Sequence, residues 1–182
     1  MLPQRILDRF ARIPRDTPIE NEYYGVFNKI LAEVCFADES FTVVPQYYPL
    51  LQAAGSPTAD RIITFVVELN YQPIFFLEIK PLLHVDHVCT RVSADTKMRA
   101  GIHALRDLSP TPRLHGVSAM GQRLAFYRLD KTTGCINPTH VEPSDTVETV
   151  PAERWDTDIT TEEGYQQFMA VINDVKTMAA VL

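Results

Sequence analysis

The sequence predicts an α/β fold: a central mixed sheet flanked by helices. Two observations carry this. Stretches with apolar residues at helical spacing alternate with short runs rich in β-branched and aromatic residues. Their order reads helix, three strands, helix, strand, strand, helix, which suits a layered sandwich around one sheet. The chain is 182 residues long, enough for one domain with a sizeable core.

Residues 1–17 read as an N-terminal arm with a short helix whose arginines face water, and 18–182 as the single domain. Pro18 opens a helix running to about Phe36, with Tyr23, Tyr24, Phe27, Ile30, Leu31 and Val34 as its buried stripe. FTVVPQYYPLL is a first strand, placed at an edge or bulge by Pro45 and Pro49. RIITFVVEL is a second strand, joined across Asn70-Tyr71-Gln72 to a third, PIFFLEIK. The third is apolar on both faces and therefore central. A second helix spans about Val92 to Leu108, with Ala94, Met98, Ile102, Leu105 and Leu108 on its apolar face. RLHGVSAMG and RLAFYRLD follow as strands, then an irregular, acidic, Pro-rich segment at 137–160 in which Trp155 anchors to the core. A C-terminal helix runs from about Thr161 to Ala180, with capping-box chemistry at Thr160-Thr161-Glu162-Glu163.

Composition narrows the function classes. The apolar fraction of 46% argues against disorder. No apolar run approaches the ~20 residues of a membrane-spanning helix, so no membrane role is expected. Cys35, Cys89 and Cys135 are isolated, which fits a reduced, intracellular protein in nucleus or cytoplasm. The Arg-rich start has a presequence-like look, but Asp8 and the lack of serine make a mitochondrial destination the weaker option. The net charge of −6 does not favour nucleic-acid binding, yet it is uneven. Residues 142–163 hold eight acids and one base, whereas 1–110 hold eleven Lys/Arg against thirteen Asp/Glu, which leaves room for a local basic groove.

The chemistry-bearing motif is an aspartate, Asp60, at the start of the second strand, and Glu78-Ile79-Lys80 at the end of the third. Side chains alternate along a strand, so Glu78 and Lys80 share a face while Ile79 enters the core. Hairpin pairing brings Asp60 beside them. Clustered carboxylates repel unless a cation joins them, and Mg²⁺ or Mn²⁺ takes hard oxygen ligands.

This pattern resembles the PD-(D/E)XK nuclease superfamily, the restriction-endonuclease-like fold, whose core order α-β-β-β-α-β the chain follows from about Pro18 to Met120. The resemblance puts the family's motif aspartate on Asp60, with Ala59 where Pro is usual, and its (D/E)-x-K on Glu78-Ile79-Lys80. It implies Asp60 and Glu78 as metal ligands and Lys80 as the group that orients the attacking water. It also implies an acid from the first helix. Glu20 is favoured over Glu22 because it shares a face with the buried stripe, while Glu22 aligns with Gly25, Lys29 and Glu33 on the wet side. The alternative is a helix N-terminal charge with no site role. From the second helix, Lys97 lies where the superfamily often has glutamine or lysine. Arg91, Asp95, Arg99 and Arg106 share one helical face, where Arg91 and Arg99 could hold phosphate or could form a solvated face of internal ion pairs. EIKP, TRVSADTKMRAGIHALRDL and LHGVSAMGQRLAFYRLD further resemble an uncharacterised, expanded PD-(D/E)XK-like group in mushroom-forming fungi.

HVDHVC (84–89) offers His84, Asp86, His87 and Cys89 to zinc, but no second ligand pair follows. No Gly-rich phosphate loop or nucleophile elbow occurs. The leading expectation is a metal-dependent nuclease on DNA. The alternatives are an RNA nuclease and a catalytically degenerate module of the same fold that binds nucleic acid or protein, with a homodimer or protein partner left open.

Overall fold

The computed structural model describes residues 1–49, 62–141 and 150–182. Its helices are α1 (Gln4–Ala11), α2 (Tyr24–Lys29), α3 (Val88–Leu105) and α4 (Glu162–Ala179). Among the described residues seven strands form one sheet: β1 (Phe41–Tyr47), β2 (Ile63–Leu69), β3 (Gln72–Lys80), β4 (Arg113–Met120), β5 (Arg123–Asp130), β6 (Ile136–Asn137) and β7 (Thr157–Asp158). The path is β1-β2-β3-β4-β5-β6, with β7 also on β5. β1 to β3 form an antiparallel meander, β3 and β4 run parallel through α3, and β5 turns back on β4. The sheet is therefore mixed, β1 lies at its edge with Pro45, and β3 is buried along almost its whole length.

Two apolar layers sandwich the sheet. Phe75, Leu77 and Ile79 of β3 pack with Phe27, Leu31, Phe168 and Ile172 on one face. Phe76 packs with Met98, Ile102 and Trp155 on the other. Leu2, Ile6 and Phe10 of α1 belong to the first cluster, so the N-terminal arm is tied into the domain core.

The sequence expected one helix from Pro18 to Phe36. The chain instead forms a 3₁₀ turn at Glu20–Glu22, then α2, then a π-helical stretch at Ile30–Cys35. α3 starts four residues before the expected Val92 and stops at Leu105, leaving Leu108 exposed rather than on the apolar face. The cap of α4 is half a capping box: Thr161 Oγ1 accepts from Gly164 N at 3.0 Å, but a glycine stands where a reciprocal Glu would be needed. The acidic segment is not wholly irregular, since it contains β6, β7 and a 3₁₀ turn that buries Trp155. Trp155 donates its indole N–H to Ser118 Oγ. No described helix is long and apolar enough to cross a membrane.

Candidate metal and phosphate site

Glu78 lies next to the last residue pair of β3, on the face that meets α3. The hairpin register puts Thr64 of β2 opposite it, and Thr64 Oγ1 donates to Glu78 Oε2 at 3.0 Å. The same hydroxyl accepts the Ile79 N–H at 3.3 Å, which fixes its rotamer. From α3, Lys97 Nζ reaches Glu78 Oε2 at 2.9 Å. The other carboxylate oxygen, Oε1, is buried and has no hydrogen-bond partner among the described residues. Burial pushes the Glu78 pKa up, and the charges of Lys97 and, more weakly, Lys80 oppose that rise.

Lys80 shares the face of Glu78, as strand alternation dictates, and its Nζ pairs with Glu20 Oε2 at 2.7 Å. Tyr24 donates its hydroxyl to Glu20 Oε1 at 2.6 Å. Burial raises the Tyr24 pKa first, and its hydrogen bond to Glu20 and the charges of Glu20 and Glu78 raise it further. Both glutamates therefore act on one neighbourhood. A cavity of about 300 Å³ opens there, lined by Glu20, Tyr24, Thr64, Lys80, Ser93 and Lys97 among others. His84 stands close enough for the Lys80 charge to depress its pKa, after burial as the larger cause.

The structure thus brings together Glu20, Glu78, Lys80 and Lys97. Asp60 lies outside the described residues. Glu22, expected on the wet side, is half-buried, and its Oε2 has no hydrogen-bond partner among the described residues. Thr64 and Tyr24 were missed. Tyr24 was read only as core, although its spacing of four from Glu20 is the spacing at which helical side chains meet.

Arg91 and Arg99 depart from the phosphate-binding expectation. Arg91 is buried, with Nε donating to Val150 O at 2.9 Å and a guanidinium nitrogen to Val85 O. Arg99 holds the buried Asp95 through Nε at 2.8 Å and reaches Pro138 O at 2.7 Å. Arg154 and the Tyr127 hydroxyl also bind Asp95. These side chains tie Pro138, Val150 and Arg154 to α3, which leaves their guanidinium groups committed inside the protein. Arg106, on the same expected face, pairs with its neighbour Asp107 at the surface.

The donor set suits a small hard cation in kind: oxygen ligands, one of them buried and unpartnered among the described residues, beside solvent-connected space. In number it is sparse. No group of three or more His, Cys, Asp or Glu side chains able to hold a metal ion occurs among the described residues. Mg²⁺ commonly makes do with one or two carboxylates, completing its shell with water and substrate phosphate. His84, Asp86, His87 and Cys89 form no such group either.

No family model matches the chain. No curated protein and no solved structure matches it.

Proposed function

We propose that the protein is a divalent-metal-dependent phosphodiesterase of the PD-(D/E)XK, restriction-endonuclease-like type, acting on nucleic acid and on DNA first. The observation that carries this reading is Glu78: a buried carboxylate with one oxygen bare of hydrogen-bond partners among the described residues, two residues from a lysine on the same face. The order of elements and the β3-α3-β4 parallel crossover agree with it.

Each residue has a role in this reading. Glu78 and Glu20, with Asp60, would hold Mg²⁺ or Mn²⁺. Thr64 and Tyr24 orient the two glutamates. Such an ion supplies Lewis acidity toward a phosphoryl oxygen and lowers the pKa of its water. Lys80 orients the attacking water and offsets charge developing on the phosphate. Lys97 offers a second ammonium to the scissile phosphate. Water oxygen bonds to phosphorus while the P–O bond to the leaving sugar oxygen breaks. The water loses one proton to solvent and the leaving oxygen gains one.

The test is a metal-titrated cleavage assay on single- and double-stranded DNA and on RNA. Cleavage that EDTA abolishes is expected. No cleavage of any substrate, together with no stabilisation by Mn²⁺, would overturn the reading. A catalytically degenerate binding module is the second reading. It is favoured by the internal commitment of Arg91 and Arg99, which removes two of the few cations available for counterion release.

A further inference from the structure

Two ammonium groups already stand where a cation would go. Lys97 holds Glu78 at 2.9 Å, and Lys80 holds Glu20 at 2.7 Å. These four described side chains sum to zero charge, two negative against two positive. We propose that Lys97 is a built-in counter-ion that competes with a divalent cation for Glu78, so that the cation enters as the ammonium swings off the carboxylate into the adjoining cavity. This rests on the metal-site reading above and adds the regulation of that site.

The two pairs are not equivalent. The Glu78 side chain is 4% exposed, whereas Glu20 is 26% exposed and is also held by Tyr24. A buried carboxylate needs a compensating charge, while a half-wet one can rely on water. Lys97 therefore occupies the site whose neutralisation matters most. It grips Oε2, the oxygen that Thr64 also holds, and leaves Oε1 without a hydrogen-bond partner among the described residues. A dication on that carboxylate and an ammonium within a few ångströms of it repel strongly in a poorly screened pocket. Lys97 has somewhere to go: its side chain is 22% exposed, and it lines the 300 Å³ cavity with Ser93. An ammonium released into that space faces the position of an incoming phosphate. Binding of metal and of nucleic acid would then reinforce each other, because each stabilises the same displaced lysine.

The experiment is a calorimetric Mn²⁺ titration of the nucleic-acid-free protein at pH 8, with thermal melts with and without Mn²⁺. Wild type, Lys97→Met and Lys29→Met are compared. Lys29 pairs with Glu33, a partner outside the cavity lining, and serves as the control. Lys97→Met should bind Mn²⁺ at least about tenfold tighter, since relief of one like-charge contact of this kind is worth that much or more. It should melt lower without metal and gain more from Mn²⁺ than wild type does. Lys29→Met should behave as wild type. Binding by Lys97→Met alone, with wild type silent, would also support the proposal. Equal or weaker binding by Lys97→Met, with wild type binding normally, would overturn the counter-ion role and leave the metal site standing. Absence of binding by all three folded proteins would overturn both. If Lys97→Met fails to fold, Lys97→Gln is held to the same criteria.

Discussion

Lys97 Nζ lies 2.9 Å from Glu78 Oε2, and one helical turn further along α3 Gly101 lies against Phe76, two residues back along β3. A helical turn of four residues rises ~6 Å and two strand residues span ~6.6 Å. The two contacts are thus successive rungs between a helix and a strand running in opposite directions. The apolar rung sets the height of the polar one.

That rung depends on missing side chains. A Cβ on Gly101 would come within 2.9 Å of the Phe76 ring, and one on Gly116 of β4 would overlap the same ring from the other side. Gly116→Ala is expected to lower stability by about 1–3 kcal/mol, the usual cost of overpacking a filled core. Urea unfolding would measure it. An unchanged midpoint would mean that α3 can lift off the sheet freely, and the lysine's position would then not be fixed by packing.

Removal of Lys80 should separate chemistry from metal holding. Lys80→Met is expected to slow cleavage at least about 10²-fold, the lower scale for losing one transition-state-stabilising group. Its Mn²⁺ affinity should not fall, because an ammonium is no ligand. Glu78→Gln should lose both. Parallel rate and calorimetric measurements on the two variants decide the matter, and a loss of Mn²⁺ binding in Lys80→Met would remove it from the water-orienting role.

Arg91 should be structural. Arg91→Met strips hydrogen bonds from the carbonyls of Val85 and Val150 and is expected to destabilise by about 2–3 kcal/mol, the scale for buried bonds to a charged group. The salt dependence of any DNA binding should stay unchanged. A shallower salt slope without loss of stability would return Arg91 to the nucleic-acid surface.

The elements were legible because each carries its own period: the stripes of α3 and α4, and the β-branched runs of β2 and β3. The Glu78–Lys80 pairing on one face followed from strand alternation alone. Thr64 escaped notice although its register was legible, because a hydroxyl within an apolar run carries no charge to mark it. The sequence suggested a three-residue connection at 70–72, whereas the chain makes a two-residue turn at Asn70-Tyr71 and adds a bulge between Val67 and Glu68. The two differences cancel, and Thr64 still arrives opposite Glu78. Arg91 and Arg99 misled because periodicity shows which residues share a face but not what covers that face. Here Val150 and Pro138, both distant in sequence, supply the cover.

His115 offers a pH-dependent test at the opposite end of the sheet. It is buried on β4, with Nε2 2.7 Å from Asp174 Oδ2 of α4. Burial pulls its pKa below the ordinary 6.5, and the charges of Arg128 and Arg113 add to that, while Asp174 pulls the other way without prevailing. Asp174 itself is held below its ordinary 3.8, chiefly by its hydrogen bond from Arg113. The signs follow from which form each fold prefers. A histidine whose folded pKa is depressed favours the neutral ring, so its contribution is fully present above pH 6.5 and is lost as pH falls below that value. Asp174 contributes above pH 3.8 and loses its contribution only below it. The contribution of His115 to wild-type stability should therefore begin to decline just under pH 6.5, well above the range in which Asp174 titrates. His115→Gln keeps a polar partner for Asp174 and should remove part of that decline. His84 also has a depressed pKa, so a residual slope is expected and should shrink further in the His84→Gln, His115→Gln double variant. Urea unfolding at pH 7.5, 6.5 and 5.5 reads all three proteins. A decline in His115→Gln as steep as in wild type would show that Asp174 lets the ring take up its proton in the folded state without loss.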